Sequence, residues 1–290
     1  MIRGFLLAAV AALGVGAPGG PASARPDARA AAEGPPSAAA QAASDPGFLF
    51  ARSLARAGPR PAGSAAERRA HARVAQRFRA AGLTVTHDRF RVPGHGRSRN
   101  VVGIHDAPAD CLIVLIAHTD SVPPSPGADD NASGVGTLVA LAPRLRSIRP
   151  RCDTWLIASG AEERPYTGQD DHLGARAAVR RVKQRKADLR FVLSLDEVGR
   201  GTTFHLRSPR PTPRPGVEGR IVRAGRGAVR WVPDSGSGNS DHREFALAGL
   251  PAAKLGVPDD PLRHTAADTP GRLQPRSFVK VRAIVERLLG

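Results

Sequence analysis

The stretch LIVLIAHTD (residues 112–120) decides the fold. Its first six residues are apolar without a break, the mark of a strand buried on both faces of a sheet. Two later stretches share the pattern: TWLIAS (154–159) and LRFVLSLD (189–196). Helical patterns alternate with them. SGVGTLVALAPRLRS predicts a helix from Ser133 that Pro143 bends or ends, and HLGARAAVRRVKQ predicts another. Upstream, Ser64 and Glu67 form a capping box for a helix over 65–81, on which Ala70, Val74, Phe78 and Ala81 recur at helical spacing. TVTHDRFRV (84–92) alternates as an edge strand does, and NVVGI (100–104) follows as a strand. TTFHLR and PAAKLGV read as strands, SDHREFALAG as a short helix and RSFVKVRAIVERLLG as a closing amphipathic helix, while 208–228 is too rich in Pro, Arg and Gly to assign. The alternation predicts an α/β fold, a three-layer sandwich whose central mixed, mostly parallel sheet is flanked by helices.

The chain has 290 residues, enough for one large domain with a real core. Aromatics make up only 4%, so Ala, Val and Leu must fill that core. Residues 1–24 read as an export signal: a basic start, the apolar run FLLAAVAALGVG and the small-residue site Ala22-Ser23-Ala24. The run is short for a bilayer, and a retained anchor is the competing reading. Residues 25–45 read as a disordered Ala/Pro/Gly-rich leader and 46–290 as a single mature domain, secreted or held in the cell envelope. The net charge is +17, but the basic residues are scattered and aromatic stacking residues are lacking. A solvated basic face is expected, without nucleic acid as a partner. Cys111 and Cys152 each stand just before a buried strand. Were those strands parallel neighbours, the thiols would enter the sheet together, either as a disulfide or as two buried thiols.

In an open α/β sheet, sites form beyond the carboxyl ends of the strands. His118 and Asp120 follow LIVLIA, Glu162 and Glu163 follow TWLIASGA, Asp196 ends LRFVLSLD, and His264 follows PAAKLGV. Four strands thus deliver imidazole and carboxylate to one rim, a mixed donor set that suits zinc. Of Glu162 and Glu163, one can bind metal while the other faces substrate as a base, because adjacent residues of extended chain point apart. Singly, each of these residues is better explained as a hydrogen-bonded loop or surface group; their convergence reverses that.

These residues carry a resemblance. RPAGSAAERRAHARVAQRFRAAGL, AHTDSVPPSPGADDNASGVG, SGAEERP, SLDEVG, GNSDHREFALAGLPA and RHTAADT, in that order over residues 60–270, resemble the secreted bacterial zinc aminopeptidases, co-catalytic metallopeptidases of the aminopeptidase Y type, related to glutaminyl cyclases. The resemblance implies a zinc-peptidase-like fold and two zinc ions bridged by Asp130, not by the neighbouring Asp129. One ion would take His118, Asp130 and Asp196, the other Asp130, Glu163 and His264. Glu162 would be the general base and Asp120 the support of His118. The substrate would be a peptide or small amide and the protein a monomer. Arg263 stands where many members have an oxyanion-donating Tyr, and RPYTGQDDHLG replaces a Gly-rich segment. Ser240, Asp241 and His242 match a motif lining the cleft and are expected on the substrate side. Two other readings compete: another metal-dependent amide chemistry such as glutaminyl cyclisation, and a binding protein on a peptidase scaffold. HTDSVP also resembles carboxypeptidases and deacylases with an inserted dimerisation domain, but no such insert fits between Glu163 and His264.

Overall fold

The computed structural model describes residue 11 and residues 37–290. The predicted signal segment and most of the predicted leader lie outside the described residues. Eight strands build one sheet: β1 (Thr84–Val92), β2 (Gly96–His105), β3 (Ala109–His118), β4 (Cys152–Ser159), β5 (Asp188–Leu195), β6 (Phe204–Ser208), β7 (Val229–Pro233) and β8 (Ala252–Gly256). Their order is β1-β2-β4-β3-β5-β8-β6-β7. The central four, β4-β3-β5-β8, are parallel, and antiparallel pairing takes over at β2 and β6. The sheet is therefore mixed and mostly parallel at its centre, as the unbroken apolar strands predict.

Along β3, Ile113, Leu115 and Ala117 point into the larger core, and Leu112, Val114 and Ile116 into the smaller one on the other face. The larger core is closed by helices α2 (Pro46–Ala55), α3 (Ala65–Ala80), α4 (Gly134–Leu141) and α10 (Pro275–Leu289), through residues such as Phe48, Phe78, Leu138 and Ile284. The smaller core is closed by α7 (Leu173–Arg185) and α9 (His242–Leu247), through Ala175, Ala178, Val182 and Phe245. Helix α8 (Glu218–Gly225) packs Ile221 into the larger core. It occupies the end of the stretch left unassigned from sequence, and β7 follows just beyond that stretch.

Several local outcomes refine the sequence reading. Pro143 acts as predicted: α4 stops at Leu141, a tight turn spans Ala142–Arg144, and a last helical turn, α5 (Leu145–Ile148), follows. The capping box at α3 forms only by half. Ser64 Oγ accepts from the Glu67 amide, but the Glu67 carboxylate accepts instead from Gly63 N, Ser98 Oγ and Ala161 N. The leader boundary needs correcting. Ser37 caps a short helix α1 (Ala38–Ala43), Asp45 caps α2 through the amides of Gly47 and Phe48, and Arg282 pairs with Asp45. Order thus begins ahead of residue 46, because an alanine run is a good helix former once its first amides are capped. Residues 37–290 lie in one compact unit. Cys111 and Cys152 form a disulfide at the end of the sheet remote from the strand carboxyl termini.

Candidate active site

The parallel register brings four strand ends side by side. His118 at the end of β3 pairs with Ser159 at the end of β4, and Leu195 of β5 pairs with Leu255 of β8. The chain leaving each end carries a predicted site residue. Backbone conformations uncommon for residues with a side chain occur here: Ala161, Glu197 and His264 have φ of 52°, 58° and 62°. Each stands at, or directly beside, a residue that must be aimed.

His118 Nε2 lies 3.1 Å from Asp130 Oδ1 and 3.5 Å from Asp196 Oδ1. His264 Nε2 lies 3.2 Å from Asp130 Oδ2 and 3.0 Å from Glu163 Oε2. Asp130 therefore faces one histidine with each oxygen, the disposition a bridging carboxylate needs. Glu162 Oε2 stands 3.9 Å from His118 Nε2. Donor atoms from His118, Glu162 and Asp196 lie within 4.8 Å of one another, as do donor atoms from His118, Asp130 and Glu163. These two groups cut across the predicted partition, since His118 belongs to both and Glu162 is within ligand reach. His264 adjoins the second group through Asp130 and Glu163. The cluster opens onto a cavity of about 100 Å³ whose wall also includes Arg164, Pro165, His172, Asn239 and Arg263.

The polypeptide around each of these groups is itself held. Arg60, from the RPAGS stretch, is 1% exposed. It donates to the carbonyls of Thr119, Pro126 and Gly127, fixing the proline-rich loop between His118 and Asp130. Burial lowers its pKa to about 10, which still leaves it charged at neutral pH. Asp268, from RHTAADT, accepts from the amides of Asp129 and Asp130. Asp129 accepts from Gly199 N and Arg200 Nε, so it ties the Asp130 loop to the segment after β5. Asn131 donates to the Leu195 carbonyl and accepts from Gly134 N. A side chain at Gly134 would meet the Leu195 carbonyl oxygen at 2.1 Å, so the start of α4 needs glycine to approach β5 this closely.

Asp120 differs in detail from its expected role. His118 Nδ1 is 3.2 Å from the Asp120 carbonyl and 3.7 Å from its carboxylate, while that carboxylate accepts from the amides of Glu162 and Glu163. Asp120 thus aims the Glu-Glu loop as much as the imidazole. Ser240, Asp241 and His242 are fully buried behind the cluster, and the cavity wall at this segment is Asn239. Ser240 Oγ meets Ser194 Oγ at 3.0 Å, Asp241 accepts from Ser159 Oγ, and His242 Nε2 is 2.7 Å from Asp234. The expectation that they line the cleft is corrected: the helix start at His242 turns these side chains inward. Arg263 does line the cavity, one guanidinium nitrogen 3.5 Å from Glu197 Oε2.

Two residues of the site escape a reading by motif. Lys254, inside the apolar strand β8, is 2.9 Å from Asp196 Oδ2 and 3.2 Å from Glu197 Oε2. The signal was a lone lysine in a buried strand, which must find acids. His172 lies against Glu162, and its partner is remote in sequence.

Electrostatics mark the cluster as built for a cation. Burial disfavours charge on His118, yet the carboxylates of Glu162, Asp120, Asp130 and Asp196 hold its pKa well above 6.5. Burial also opposes charge on Asp130 and Asp196, but His118 and His264 beside the first, and Lys254 and His118 beside the second, hold both well below the usual range. Burial, with Asp130 adding to it, pushes Glu163 up to about 7. Burial, with Glu163 and Asp196, pushes Glu162 well above 4.5. Glu163 Oε1 and Asp196 Oδ1 are buried without a hydrogen-bond partner among the described residues. A single imidazole nitrogen facing several carboxylates cannot satisfy them all, whereas zinc takes N and O donors together. The residues present fit that ion.

The match to peptidase family M28 runs over residues 100–289, well over half of the chain. The chain belongs to that family. The aminopeptidase YwaD of Bacillus subtilis is 30% identical over 190 residues, covering 59% of this chain and 40% of that protein. A probable leucine aminopeptidase 2 of Aspergillus fumigatus is 26% identical over 157 residues, covering 50% and 30%. Alignments of this M28 member therefore span less than half the length of these curated relatives. Among solved structures, a zinc aminopeptidase from Bacillus subtilis superposes with a TM-score of 0.72 over 84% of this chain and 93% of that one, at 17% identity. The glutaminyl cyclase of Fimbriiglobus ruber gives 0.74 over 84% and 94%, also at 17% identity. At such identity the likeness is one of fold.

Proposed function

We propose that the protein is a zinc-dependent exopeptidase, an aminopeptidase acting on peptides or small amides, with two ions bridged by Asp130. The observation that carries this reading is the convergence of His118, Asp130, Glu163, Asp196 and His264 on one cavity that also contains Glu162. On this reading His118 and Asp196 complete one site with Asp130, and Glu163 and His264 complete the other. Zinc bound there supplies Lewis acidity toward a carbonyl oxygen and lowers the pKa of water.

The chain's own residues do the rest. Glu162 takes a proton at its carboxylate from the attacking water and returns it to the leaving amine nitrogen. Its burial among acids favours holding that proton. Asp120 fixes the amides of Glu162 and Glu163, so base and ligand are placed by one carboxylate. Arg263 offers a cation at the cavity wall where charge develops on the substrate oxygen. Residues 1–24 act as the export signal on this reading, and the mature protein works as a secreted or cell-envelope monomer. Among the described residues no helix is long and apolar enough to cross a membrane.

A screen of aminoacyl-arylamides, N-blocked peptides and C-terminally blocked peptides, with and without chelator, tests the activity. Turnover of free-amine substrates alone, abolished by chelator and restored by zinc, is the expected result. Glu162→Gln should lower kcat by about 10³-fold or more while zinc stays bound. Activity retained in that variant would remove Glu162 from the role of base.

A further inference from the structure

His172 is used by none of the chemistry above, yet it lies against the base. It is the residue before α7, at the end of a segment that departs from the family pattern, and it is 1% exposed. Its Nε2 is 3.3 Å from Glu162 Oε1. On the far side of the ring, Nδ1 is 3.1 Å from Glu244 Oε1, and the His172 amide donates to that same oxygen at 3.2 Å. Glu244 belongs to α9 and is gripped by Arg243, whose guanidinium also reaches Asp171 at 3.6 Å. The ring is thus clamped from one side by an anion that is itself clamped, and its free edge meets Glu162.

The ring edge carrying Nε2 faces Glu162 Oε1 at 3.3 Å, which leaves Oε2 as the oxygen nearer His118 Nε2, at 3.9 Å. A carboxylate free to rotate about its terminal bond has a broad torsional well, so an outside contact must select its orientation.

We propose that His172, held by Glu244, is the positioning residue for Glu162: it fixes Oε1 and keeps Oε2 turned toward the ligand cluster. The proposal rests on the reading of Glu162 as base. It acts through Glu162 and predicts a defect in turnover rather than in binding. The link is built across 72 residues of sequence, by a loop after β4 and a helix before β8.

The test uses the zinc-loaded full chain and its variants His172→Leu, His172→Gln, Glu244→Gln and the double variant His172→Leu/Glu244→Gln. His172→Leu should lower kcat by about 10- to 100-fold, with KM within about threefold and zinc content unchanged. Glutamine, whose amide nitrogen reaches the place of Nε2, should recover most of that loss. Glu244→Gln should lower kcat in the same direction, and the double variant should be no worse than His172→Leu, because the two act in series. A kcat within twofold of the parent in His172→Leu overturns the proposal. So does a defect confined to KM, which would make His172 a substrate contact, or loss of zinc, which would make it a prop of the metal site. If the leucine variant fails to fold, Glu244→Gln decides the question, and a kcat within twofold of the parent there overturns the proposal.

A second readout needs no turnover. The ring ¹⁵N resonances of His172 should shift on Glu162→Gln in both metal-free and zinc-loaded protein, and unchanged resonances overturn the contact. If the parent cleaves no amide while those resonances respond, the peptidase reading fails and the positioning contact stands.

Discussion

Asp268 carries more of the site than its distance from the metal ligands in the motif suggests. Its two oxygens accept the amides of Asp129 and Asp130, so it sets the backbone from which the Asp130 carboxylate projects. Asp268→Asn keeps the volume but turns an amide nitrogen toward one of those N–H groups. It should cost about 1–3 kcal/mol in urea unfolding of the metal-free protein and weaken zinc retention. Unchanged unfolding would show that the loop holds its shape without this carboxylate. His71 offers a pH prediction away from the metal ligands. It is fully buried, its Nδ1 has no partner among the described residues, and burial lowers its pKa to about 4 from 6.5. The folded state keeps the ring neutral while the unfolded chain takes up a proton below about pH 6.5. Its contribution is therefore complete above that pH and is lost as the pH falls toward 4, by up to about 3 kcal/mol. His71→Leu should flatten this part of the stability profile, measured by denaturant unfolding from pH 8 to 4. An acid limb as steep as the parent's would assign the loss to other groups.

At the scale of elements, legibility followed the length over which a signal acts. Strands β3, β4 and β5 announced themselves because each is apolar throughout, and being central they delivered His118, Glu162, Glu163 and Asp196 to a common rim. Strand β7 and helix α8 were illegible because β7 is a short edge strand and α8 follows a Pro- and Arg-rich loop, with packing rather than propensity holding both. Helix α1 was read as disorder because alanine-rich composition says nothing about the cap at Ser37 or the pairing of Asp45 with Arg282. The motif placed Asp120 near His118, but only the fold shows its carboxylate spanning to the Glu162 and Glu163 amides. His172 was hidden for the same reason, since Glu244 lies far along the chain. Strand direction also separates stability from catalysis. The Cys111–Cys152 disulfide sits at the amino ends of β3 and β4, opposite the site, and closes a loop of 41 residues. Replacing both cysteines with alanine should lower stability by about 2–4 kcal/mol. In the same variant kcat should stay within about twofold of the parent. A large fall in kcat in still-folded protein would mean that strain at one end of the sheet reaches the other.

At the scale of the whole unit formed by residues 37–290, an eight-stranded sheet gathers acids at one end and holds them against their own repulsion. Glu162, Glu163, Asp130, Asp196 and Asp120 are all buried there, and among the described residues the compensating cations are few: Lys254 beside Asp196, Arg60 beneath the loop, and Arg164 and Arg263 at the cavity wall. The net charge of +17 is mostly elsewhere on the molecule and does not neutralise the cluster. Such an assembly suits divalent cations, and the function proposed above puts one on each side of Asp130, between His118 and His264. Zinc stoichiometry of the reconstituted, dialysed full chain by inductively coupled plasma mass spectrometry tests that claim most directly. The account predicts two zinc ions per chain, falling below two in Asp130→Ala. One zinc or none per chain at saturation in the parent protein would contradict it.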